Sequence, residues 1–532
     1  MEPPDIARRD VIFAAYQRLA PGGLVVDADA CFLDDAPLVT PAAWRHAVQS
    51  DRLGDVDGAF CVAWEDDAGT IHLARDAIGH RTAYYTSGPA GFAFASALAP
   101  LLDAQFVARH LALPSVAAYL TYGYLPGRAT MVADVWEVLP GECVRFQRST
   151  IARRFFWSLP PEPTTFADEA TLRGDLRRCL ESTMARLAPP HEPVAASLSG
   201  GIDSSLVVAL AQQQRREPVH TFSITFGAAY RDELPFSSLV ASHCGTRHHV
   251  VELPPAAIAA HLDETLACLD KPNGDPLTVP NALLFREMAN TANVVLNGEG
   301  GDPCFGGPKN VPMVLAELYD HGNAAPGSRE RSYLRAHLKI YDELSALLTP
   351  AAYEAASVPA LAAALTPWFQ DPRWSTLVNQ LMAINVVWKG GHHILPKVDA
   401  LSRPFGVRPR SPLFAKNVVE FSFRIPAQGK LKESAEKYLL KAAVADLLPP
   451  AIVERPKSGM LVPVEGWFQG PLRNLARERL LDEHFGQPWL QRAYVERLLD
   501  GNLPGLRPRR GVKIWLLLTL EAHLRTLGLT LP

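Results

Sequence analysis

The sequence predicts an α/β protein of two domains, a β-rich one followed by one built on a parallel sheet. From residue 57 onward, apolar or alternating runs are broken by Asp, Gly or Pro about every eight to twelve residues, which is typical of β-hairpins. The Pro-rich stretch SLPPEPTT, residues 158–165, has no hydrophobic periodicity. Beyond it, strand-like and helical segments alternate, as they do in βαβ units. We therefore expect a first domain over 1–157 and a second over 166–532.

The elements of the second domain follow from their periodicity. Apolar residues at helical spacing predict helices over 171–187, 206–216 and 234–245. Short apolar or β-branched runs predict strands at 194–198, 220–226, 248–253 and 294–296. After about residue 310 amphipathic helices are expected to dominate, and the apolar stretch IWLLLTLEAHLRTLGL near the end is expected to be a core helix.

Composition excludes several classes of function. The 532 residues include 52 Lys and Arg and 56 Asp and Glu, a net charge of −4 without a long basic run, so nucleic acid is not expected as a partner. No apolar run reaches the roughly 18 residues of a membrane span, and the N-terminus lacks the pattern of a signal peptide. The seven cysteines form no CxxC pair. We expect a cytoplasmic protein with no membrane partner.

The sharpest motif is SGGIDSS, which lies between a predicted strand and a predicted helix. Paired glycines let a ligand approach the backbone, hydroxyl and amide groups can point at it, and the helix N-terminus favours an anion. The motif is not a Walker loop, because GxxxxGK[ST] is absent. It predicts a pyrophosphate-binding loop made by Ser199, Gly200, Gly201, Asp203, Ser204 and Ser205.

Further motifs carry a family resemblance. SGGIDSS resembles the PP-loop of ATP pyrophosphatases, and NGEGGD at 297–302, followed by FGG, is similar to the GEGxDE…FGG segment of asparagine synthetases. KPNGDP at 271–276, KVD at 397–399, RSP at 410–412 and EKYLL at 436–440 resemble other segments of that family. The chain thus resembles the asparagine synthetase-like family. The resemblance implies an N-terminal Ntn-hydrolase-like αββα domain and a C-terminal PP-loop domain, of the adenine-nucleotide α-hydrolase type, with a helical C-terminal part.

The resemblance also implies the chemistry and the residues that perform it. ATP would be split between its α and β phosphates to activate a carboxylate, with Mg²⁺ held by Asp203 and Asp302. Lys437 would stabilise the phosphate charge, and Glu299 would orient or deprotonate the attacking amine. Adenine would be held near Leu198, Ser223, Ile224 and Gly298, while Asp232 and Glu233 would either add a metal ligand or cap a helix.

The first domain departs from the family pattern. Glutamine-dependent asparagine synthetases use a cysteine directly after the initiator Met, and position 2 is Glu here. We therefore expect a glutaminase fold without glutaminase activity, as in the β-lactam synthetases and lasso-peptide cyclases. Those relatives form lactams within one substrate, but they do not share the glutamate found at Glu299, which favours attack by a separate amine.

The substrate pocket also departs from the family. The synthetase pattern LEVRVPFLD is replaced by VRPRSPLFA, so that Arg408 stands where a carboxylate is expected. Arg408 would hold a carboxylate or phosphate, or be a surface residue, and aspartate is in doubt as the substrate. By resemblance, Asp275 and Asp399 are further candidate substrate residues. The pairs His248–His249 and His392–His393 are interpreted as structural, because adjacent histidines on a strand face opposite ways.

The leading hypothesis is an ATP-dependent ligase that adenylates a carboxylate and transfers the acyl group to ammonia or another amine, in specialised metabolism. Its partners would be a small-molecule or peptide carboxylate and an amine, presented freely or by a carrier protein or pathway enzyme. Three alternatives stay open: an intramolecular lactam-forming cyclase, another PP-loop activity such as RNA thiolation, and a noncatalytic nucleotide-binding scaffold.

Overall fold

The computed structural model describes residues 14–15, 22–88, 91–228, 230, 233–307, 313, 327–433, 435–456, 460, 462–503 and 510–531. Among these residues, no helix is both long and apolar enough to cross a lipid bilayer.

The first domain is a sandwich of two antiparallel sheets. Its strands are β1 (Ala14–Ala15), β2 (Leu24–Leu33), β3 (Ala36–Pro37), β4 (Asp57–Glu65), β5 (Ile71–Arg75), β6 (Tyr84–Gly88), β7 (Gly91–Ala95), β8 (Trp136–Glu137), β9 (Glu142–Gln147) and β10 (Thr150–Phe155). The larger sheet has the order β10-β9-β5-β4-β2-β3 and the smaller β1-β7-β6-β8. The domain also contains three helices, α1 (Pro41–Gln49) between β3 and β4, and α2 (Ala99–Asp103) and α3 (Leu113–Tyr122) between β7 and β8.

Strand β4 shows why the layers stack in this way. It is buried on both faces, with Cys61 and Ala63 turned toward the smaller sheet and Phe60 and Val62 packed against Trp44 of α1. This is the period of two that a strand imposes on its side chains. On the far side, α2 covers β7 of the smaller sheet. The resulting αββα arrangement confirms the predicted Ntn-hydrolase-like fold.

The second domain is built on a parallel sheet of β11 (Val194–Ser197), β12 (His220–Thr225), β13 (Arg247–Glu252), β14 (Val294–Leu296) and β15 (Arg408–Arg410). The order is β13-β12-β11-β14-β15, so the chain runs outward from β11 in one direction and then resumes on its other side. Adjacent residues of β11, such as Ala195 and Ala196, belong to separate cores on the two faces of the sheet. The point between β11 and β14 is where ligands bind in open parallel sheets.

The remaining elements are mostly helices. They are α4 (Glu169–Leu187), α5 (Ile202–Gln213), α6 (Leu234–Cys244), α7 (Pro255–Ala260), α8 (Leu262–Ala267), α9 (Thr278–Ala289), α10 (Gly301–Phe305), α11 (Ser328–Ala336), α12 (Leu344–Leu347), α13 (Pro350–Ala355), α14 (Pro359–Ala363), α15 (Thr366–Phe369), α16 (Leu377–Ile384), α17 (Leu395–Ser402), α18 (Lys416–Ser422), α19 (Ala427–Lys430), α20 (Tyr438–Val444), α21 (Pro450–Val453), α22 (Val464–Gln469), α23 (Arg473–Leu480), α24 (Arg492–Asp500) and α25 (Arg510–Leu527). A π-helix, Asn385–Ile394, joins α16 to α17, and a hairpin of β16 (Leu431–Lys432) and β17 (Ala435–Glu436) precedes α20. Short 3₁₀ turns lie at Leu53–Asp55, Tyr341–Glu343, Arg403–Phe405, Pro412–Phe414 and Ala445–Leu447.

The predicted elements of the second domain are confirmed. Each predicted strand and helix occurs within a few residues of its expected bounds, including α25, whose side chains are buried on almost every face. Helix α4 begins where Asp168 accepts a hydrogen bond from the amide of Thr171, 2.9 Å away, which is a regular N-cap.

Candidate functional site

Two loops meet at the carboxyl ends of β11 and β14. The first, Ser199–Ser205, includes the first turn of α5, and the second, Asn297–Asp302, includes the start of α10. They touch at Gly298, where a Cβ atom would lie 2.5 Å from the amide nitrogen of Ser204. Only glycine allows the two loops to approach this closely. The contact places the two predicted motifs side by side at the switch point of the sheet.

A cavity of about 750 Å³ opens at this point. Of the residues expected to bind nucleotide, its lining includes Leu198, Ser199, Gly201, Asp203, Ser204, Ser223, Ile224 and Gly298. Glu299, Asp302 and Asp275 also line it. Gly200 and Ser205 lie outside the lining: Gly200 turns the loop with φ +76°, and Ser205 is fully buried beneath it.

Lys437 lies between the two predicted metal ligands. Its Nζ is 2.8 and 2.6 Å from the carboxylate oxygens of Asp203 and 2.5 Å from Oδ1 of Asp302, and its side chain is fully buried. Burial lowers the pKa of Lys437, but the carboxylates of Asp203 and Asp302 raise it by more than burial lowers it. The net shift of the pKa is upward, and the ammonium stays charged. The residue has φ +54°, a left-handed conformation that is uncommon for a lysine. The sequence-predicted trio therefore forms one buried ionic cluster.

Glycines leave room for both carboxylates of this cluster. A Cβ atom on Gly301 would lie 2.1 Å from Oδ1 of Asp203, and one on Gly307 would lie 2.6 Å from Oδ1 of Asp302. Two carboxylates are the protein donors that Mg²⁺ commonly uses when phosphate oxygens and water complete its shell. Among the residues that the structure describes, no group of three or more His, Cys, Asp or Glu side chains could hold a metal ion by itself. Asp203 and Asp302 thus fit a magnesium ion that is bound together with nucleotide phosphates.

Glu299 faces the cavity next to a second ion pair. Lys397 Nζ lies 2.7 Å from Oδ2 of Asp275, and both residues line the cavity. Burial lowers the pKa of Lys397, while Asp275 and then Glu299 raise it, and the net shift is upward. For Asp275 burial raises the pKa, but Lys397 and His393 lower it to well below its usual range. Lys397 and Asp275 are both charged at neutral pH, and Glu299 lies close enough to Lys397 to interact with it.

Two of the predicted substrate residues point elsewhere. Asp399 binds Arg81 of the first domain and, at 2.8 Å, Arg403, and it does not line the cavity. It follows Lys397 by two positions on α17, and side chains at that spacing do not share a helix face. The structure therefore assigns Asp399 to the contact between domains.

Arg408 also lies outside the cavity. Its guanidinium is 3.4 Å from Glu192 and 3.9 Å from Asp29 of the first domain, and it is 45% exposed. It lines a second cavity of about 600 Å³ beside β2. This placement agrees with the surface interpretation of Arg408 and removes it from the candidate residues of the nucleotide cavity. Asp232 lies outside the described residues, and Glu233 forms an ion pair with Arg455 at 2.5 Å.

One end of the cavity is not predicted by the sequence motifs. The cavity continues past Glu299 to five aromatic side chains, which we call the aromatic end: Tyr122, Tyr124, Tyr333, His337 and His393. His393 was interpreted as structural on the assumption of a strand, whereas it lies in the π-helix and faces the cavity. π-Helical turns occur frequently at functional sites. The run Tyr122-Gly123-Tyr124 was the one visible signal, since a glycine between two tyrosines marks a turn.

Comparison with known proteins agrees with this arrangement. Residues 175–525 match the asparagine synthase family model, and residues 42–157 match the model of a glutamine amidotransferase domain. The chain is 24% identical over 509 residues to asparagine synthetase (glutamine-hydrolyzing) 1 of Bacillus subtilis (strain 168), covering 90% of this chain and 78% of that protein. It is 25% identical over 480 residues to a putative glutamine-hydrolyzing asparagine synthetase of Mycobacterium tuberculosis (strain ATCC 25618 / H37Rv), covering 83% and 72%.

A third relative is the carboxyethyl-arginine beta-lactam-synthase of Streptomyces clavuligerus. It is 24% identical over 287 residues, which cover 54% of this chain and 43% of that protein. The asparagine synthase model matches well over half of the chain, in the part that contains the PP-loop, Glu299 and Lys437. This protein therefore belongs to the asparagine synthetase-like family of ligases.

Proposed function

We propose that the protein is an ATP-dependent ligase that adenylates a carboxylate, releases pyrophosphate and transfers the acyl group to ammonia or another amine. The observation that carries the proposal is the single cavity shared by the Asp203–Lys437–Asp302 cluster and Glu299. One end of such a site neutralises phosphate, and the adjoining carboxylate accepts a proton from an amine.

The two steps assign a role to each group. In the first, a carboxylate oxygen of the substrate attacks the α-phosphorus of ATP and pyrophosphate leaves, while the amides of the Ser199–Ser205 loop and Lys437 stabilise its charge. Mg²⁺, held by Asp203 and Asp302, would supply further positive charge to the phosphates. In the second step the amine nitrogen attacks the acyl carbon, AMP leaves with the bonding electrons, and Glu299 takes the amine proton.

We also propose that the amine does not come from glutamine hydrolysis in this chain. The sequence has no cysteine before Cys31. Burial raises the pKa of the Cys31 and Cys61 thiols well above the usual value, and neither thiol would supply a nucleophilic thiolate at neutral pH. The first domain, assigned to residues 1–157, would then have a structural role. It would support the synthetase domain, which is assigned to residues 166–532.

The setting is proposed on chemical grounds. All seven cysteines are free thiols, as is usual in the reducing cytoplasm. The substrate would be a small-molecule or peptide carboxylate of a specialised pathway, either free or presented by a carrier protein. These assignments extend the ligase proposal and depend on it.

The test measures AMP, pyrophosphate and product mass with ATP, Mg²⁺ and a panel of carboxylates, each with and without ammonia, glutamine or amines. We expect AMP only with a carboxylate, an amide product only with an added amine, and no support from glutamine. Lys437→Gln should lower AMP formation by about a hundredfold or more, since it removes a charged group from the transition state. Lys432→Gln, on the hairpin just before Lys437 and 46% exposed, is the matched control and should stay near the wild-type rate.

Other outcomes would revise the proposal. A product that has lost one water from the carboxylate alone would establish a lactam-forming cyclase. Amide formation from glutamine at the rate seen with ammonia would contradict the absence of glutaminase activity. If Lys437→Gln and Lys432→Gln both kept the wild-type rate of AMP formation, the ionic cluster would not be the reacting site.

A further inference from the structure

The first domain contributes side chains to the cavity of the second. Tyr122 is the last residue of α3 and Tyr124 follows two positions later, and both line the cavity at its aromatic end. Gly123, between them, adopts φ +81°, so the chain turns and presents both rings on the same side. The first domain, which is proposed to have no glutaminase activity, therefore forms part of the wall of the cavity.

A backbone contact fixes this wall to the synthetase residues. The carbonyl of Gly123 accepts a hydrogen bond from the amide of Gly274, 2.8 Å away. Gly274 precedes Asp275, whose carboxylate pairs with Lys397 next to Glu299. Movement of the tyrosine turn would therefore be transmitted directly to the residues beside the proposed base.

The rings at the aromatic end pack against one another in an ordered way. Tyr124 stacks on His393 with centroids 4.9 Å apart and an interplanar angle of 2°. Tyr122 meets the edge of His337 at 5.0 Å, and Tyr333 meets the same ring at 5.1 Å. Such contacts hold the rings in place before any ligand arrives, and flat aromatic walls favour a flat, unsaturated guest.

Hydroxyl groups at this end have unused hydrogen-bonding capacity. Tyr122 is 3% exposed, and within the described part of the chain its hydroxyl makes no hydrogen bond. The hydroxyl of Tyr124 makes no hydrogen bond of regular geometry there either, and the group it interacts with is the neighbouring hydroxyl of Tyr333, which leaves part of its capacity unused. An unpaired hydroxyl is unfavourable when it is buried, so a buried hydroxyl with unused capacity in a side chain that lines a cavity indicates a ligand with a polar atom at that place.

We propose that the adenylated substrate is a carboxylic acid with an aromatic or extended unsaturated body, whose far end hydrogen-bonds to Tyr122 and Tyr124. Its carboxylate would lie between the ionic cluster and Glu299, and its body would extend to the aromatic end. The assignment rests on the proposed function, because it takes the carboxylate at Glu299 as the reacting group. It makes the first domain a determinant of substrate choice.

The experiment compares 4-hydroxycinnamate, phenylacetate and indole-3-acetate with aspartate, glutarate and acetate. Binding to the full-length protein is measured by calorimetry without ATP, and turnover is measured as AMP release with ATP, Mg²⁺ and ammonia. We expect the aromatic acids to bind more tightly, with 4-hydroxycinnamate ahead of phenylacetate because it carries a polar far end. The same order should appear in the KM values for AMP release.

Tyrosine variants test the hydroxyl contacts. Tyr122→Phe and Tyr124→Phe keep the rings, so each should raise Kd and KM for 4-hydroxycinnamate about twofold to tenfold and leave the KM for ATP and the thermal midpoint unchanged. Tyr119→Phe is the matched control: it lies on the same helix, but its hydroxyl bonds Thr519 at 2.5 Å away from the cavity. This control should lower the thermal midpoint and leave Kd and KM as they are.

The outcomes separate this inference from the ligase proposal. AMP release with aliphatic acids alone would overturn the inference and leave the ligase proposal standing. Tight binding of aromatic acids, weakened by the tyrosine variants but without AMP release, would support the aromatic end as the binding site of an aromatic acid and contradict the ligase proposal. Failure of every aromatic acid to bind, or turnover that responds to aromatic amines instead of aromatic acids, would overturn the assignment.

Discussion

Lys430 shows what burial does to one charged residue in this protein. Its side chain is 1% exposed, it donates a hydrogen bond to Asn379, and its Nζ lies 5.5 Å from the centre of the Phe423 ring. Burial lowers the pKa of Lys430 to about 7, against the smaller opposing effects of Glu162 and Cys304. The unfolded chain binds a proton at this lysine up to a much higher pH.

This difference predicts a pH-dependent stability. Below pH 7 the ammonium is buried and its penalty is complete, and the penalty disappears as the pH rises from about 7 toward the ordinary lysine pKa of 10.5. Lys430→Met removes the charge, so the free energy of unfolding of the variant minus that of the wild type should fall by up to about 1.4 kcal/mol per pH unit over that range. Urea unfolding at pH 6, 8 and 9.5 measures it. A constant difference across these pH values would show that Lys430 keeps an ordinary pKa.

At the scale of elements, the site depends on two loops that approach more closely than side chains allow. Each loop follows a parallel strand and begins a helix, which is a recurrent arrangement for binding phosphate. The contact at Gly298 places Glu299 and Asp302 opposite the PP-loop. A small displacement of either loop would therefore separate the ionic cluster from the proposed base.

Gly298→Ala tests that contact. The added Cβ would lie 2.5 Å from the Ser204 amide nitrogen, so the loops must separate. Overpacking of this kind costs about 1–3 kcal/mol, which, if it falls on the ATP-bound loops, corresponds to a KM for ATP raised about fivefold to 150-fold. Gly88→Ala, at the end of β6 with nothing within 4 Å of the added atom, is the control for loss of a glycine. Equal KM values for the two variants would mean that the loops have room to spare.

The π-helix gives His392 and His393 different surroundings, which the assumption of a strand does not predict. His392 lies in a buried cluster at the domain boundary, where its Nδ1 is 3.1 Å from Oε2 of Glu137. His393 faces the cavity. Sequence periodicity distinguishes strands from α-helices but has no separate signal for ten residues of π-helix. The packing of α16 and α17 around this segment is needed to define it.

At the scale of the whole molecule, buried charges join the two domains. Glu137 of the first domain lies 2.8 Å from Arg75 and also pairs with Lys271 and His392 of the second. Burial raises the pKa of Glu137, but Lys271, His392 and Arg75 together lower it to well below its usual range. Arg75 in turn donates to the carbonyl of Gly391, 2.7 Å away. The cluster makes the domains energetically dependent on each other.

Glu137→Gln should therefore be strongly destabilising. It removes the carboxylate that pairs with the buried Arg75 and Lys271, and breaking such a buried pair typically costs about 3–5 kcal/mol. Asp34→Asn is the control, since Asp34 pairs with Arg52 at 2.7 Å on the surface with 69% of its side chain exposed, and its loss should change the free energy of unfolding far less than Glu137→Gln does. Chemical unfolding followed by fluorescence measures both. Similar losses for the two variants would show that the buried cluster adds little to the contact between domains.

Local residue patterns were enough to predict the strands, the helices and the strand-loop-helix setting of SGGIDSS, while the family resemblance named Asp203, Asp302 and Lys437. Period-two and period-3.6 burial, the strand-loop-helix order and the motif spacing are all properties of neighbouring residues. The family match confirms the fold that those motifs implied. The resemblance also named Glu299 and Asp275, and both residues line the cavity.

Only the tertiary structure decided which side of each element faces the cavity. Lys397 and Asp399 belong to one motif, yet they face the cavity and the first domain respectively, because the rotation of α17 is set by what packs on it. Tyr122 and Tyr124 are more than a hundred residues from their partners His337 and His393, and no local pattern relates residues so far apart. The sequence by itself determined the fold and the motifs of the proposed phosphate site, and docking of the two domains determined the shape of the cavity at its aromatic end.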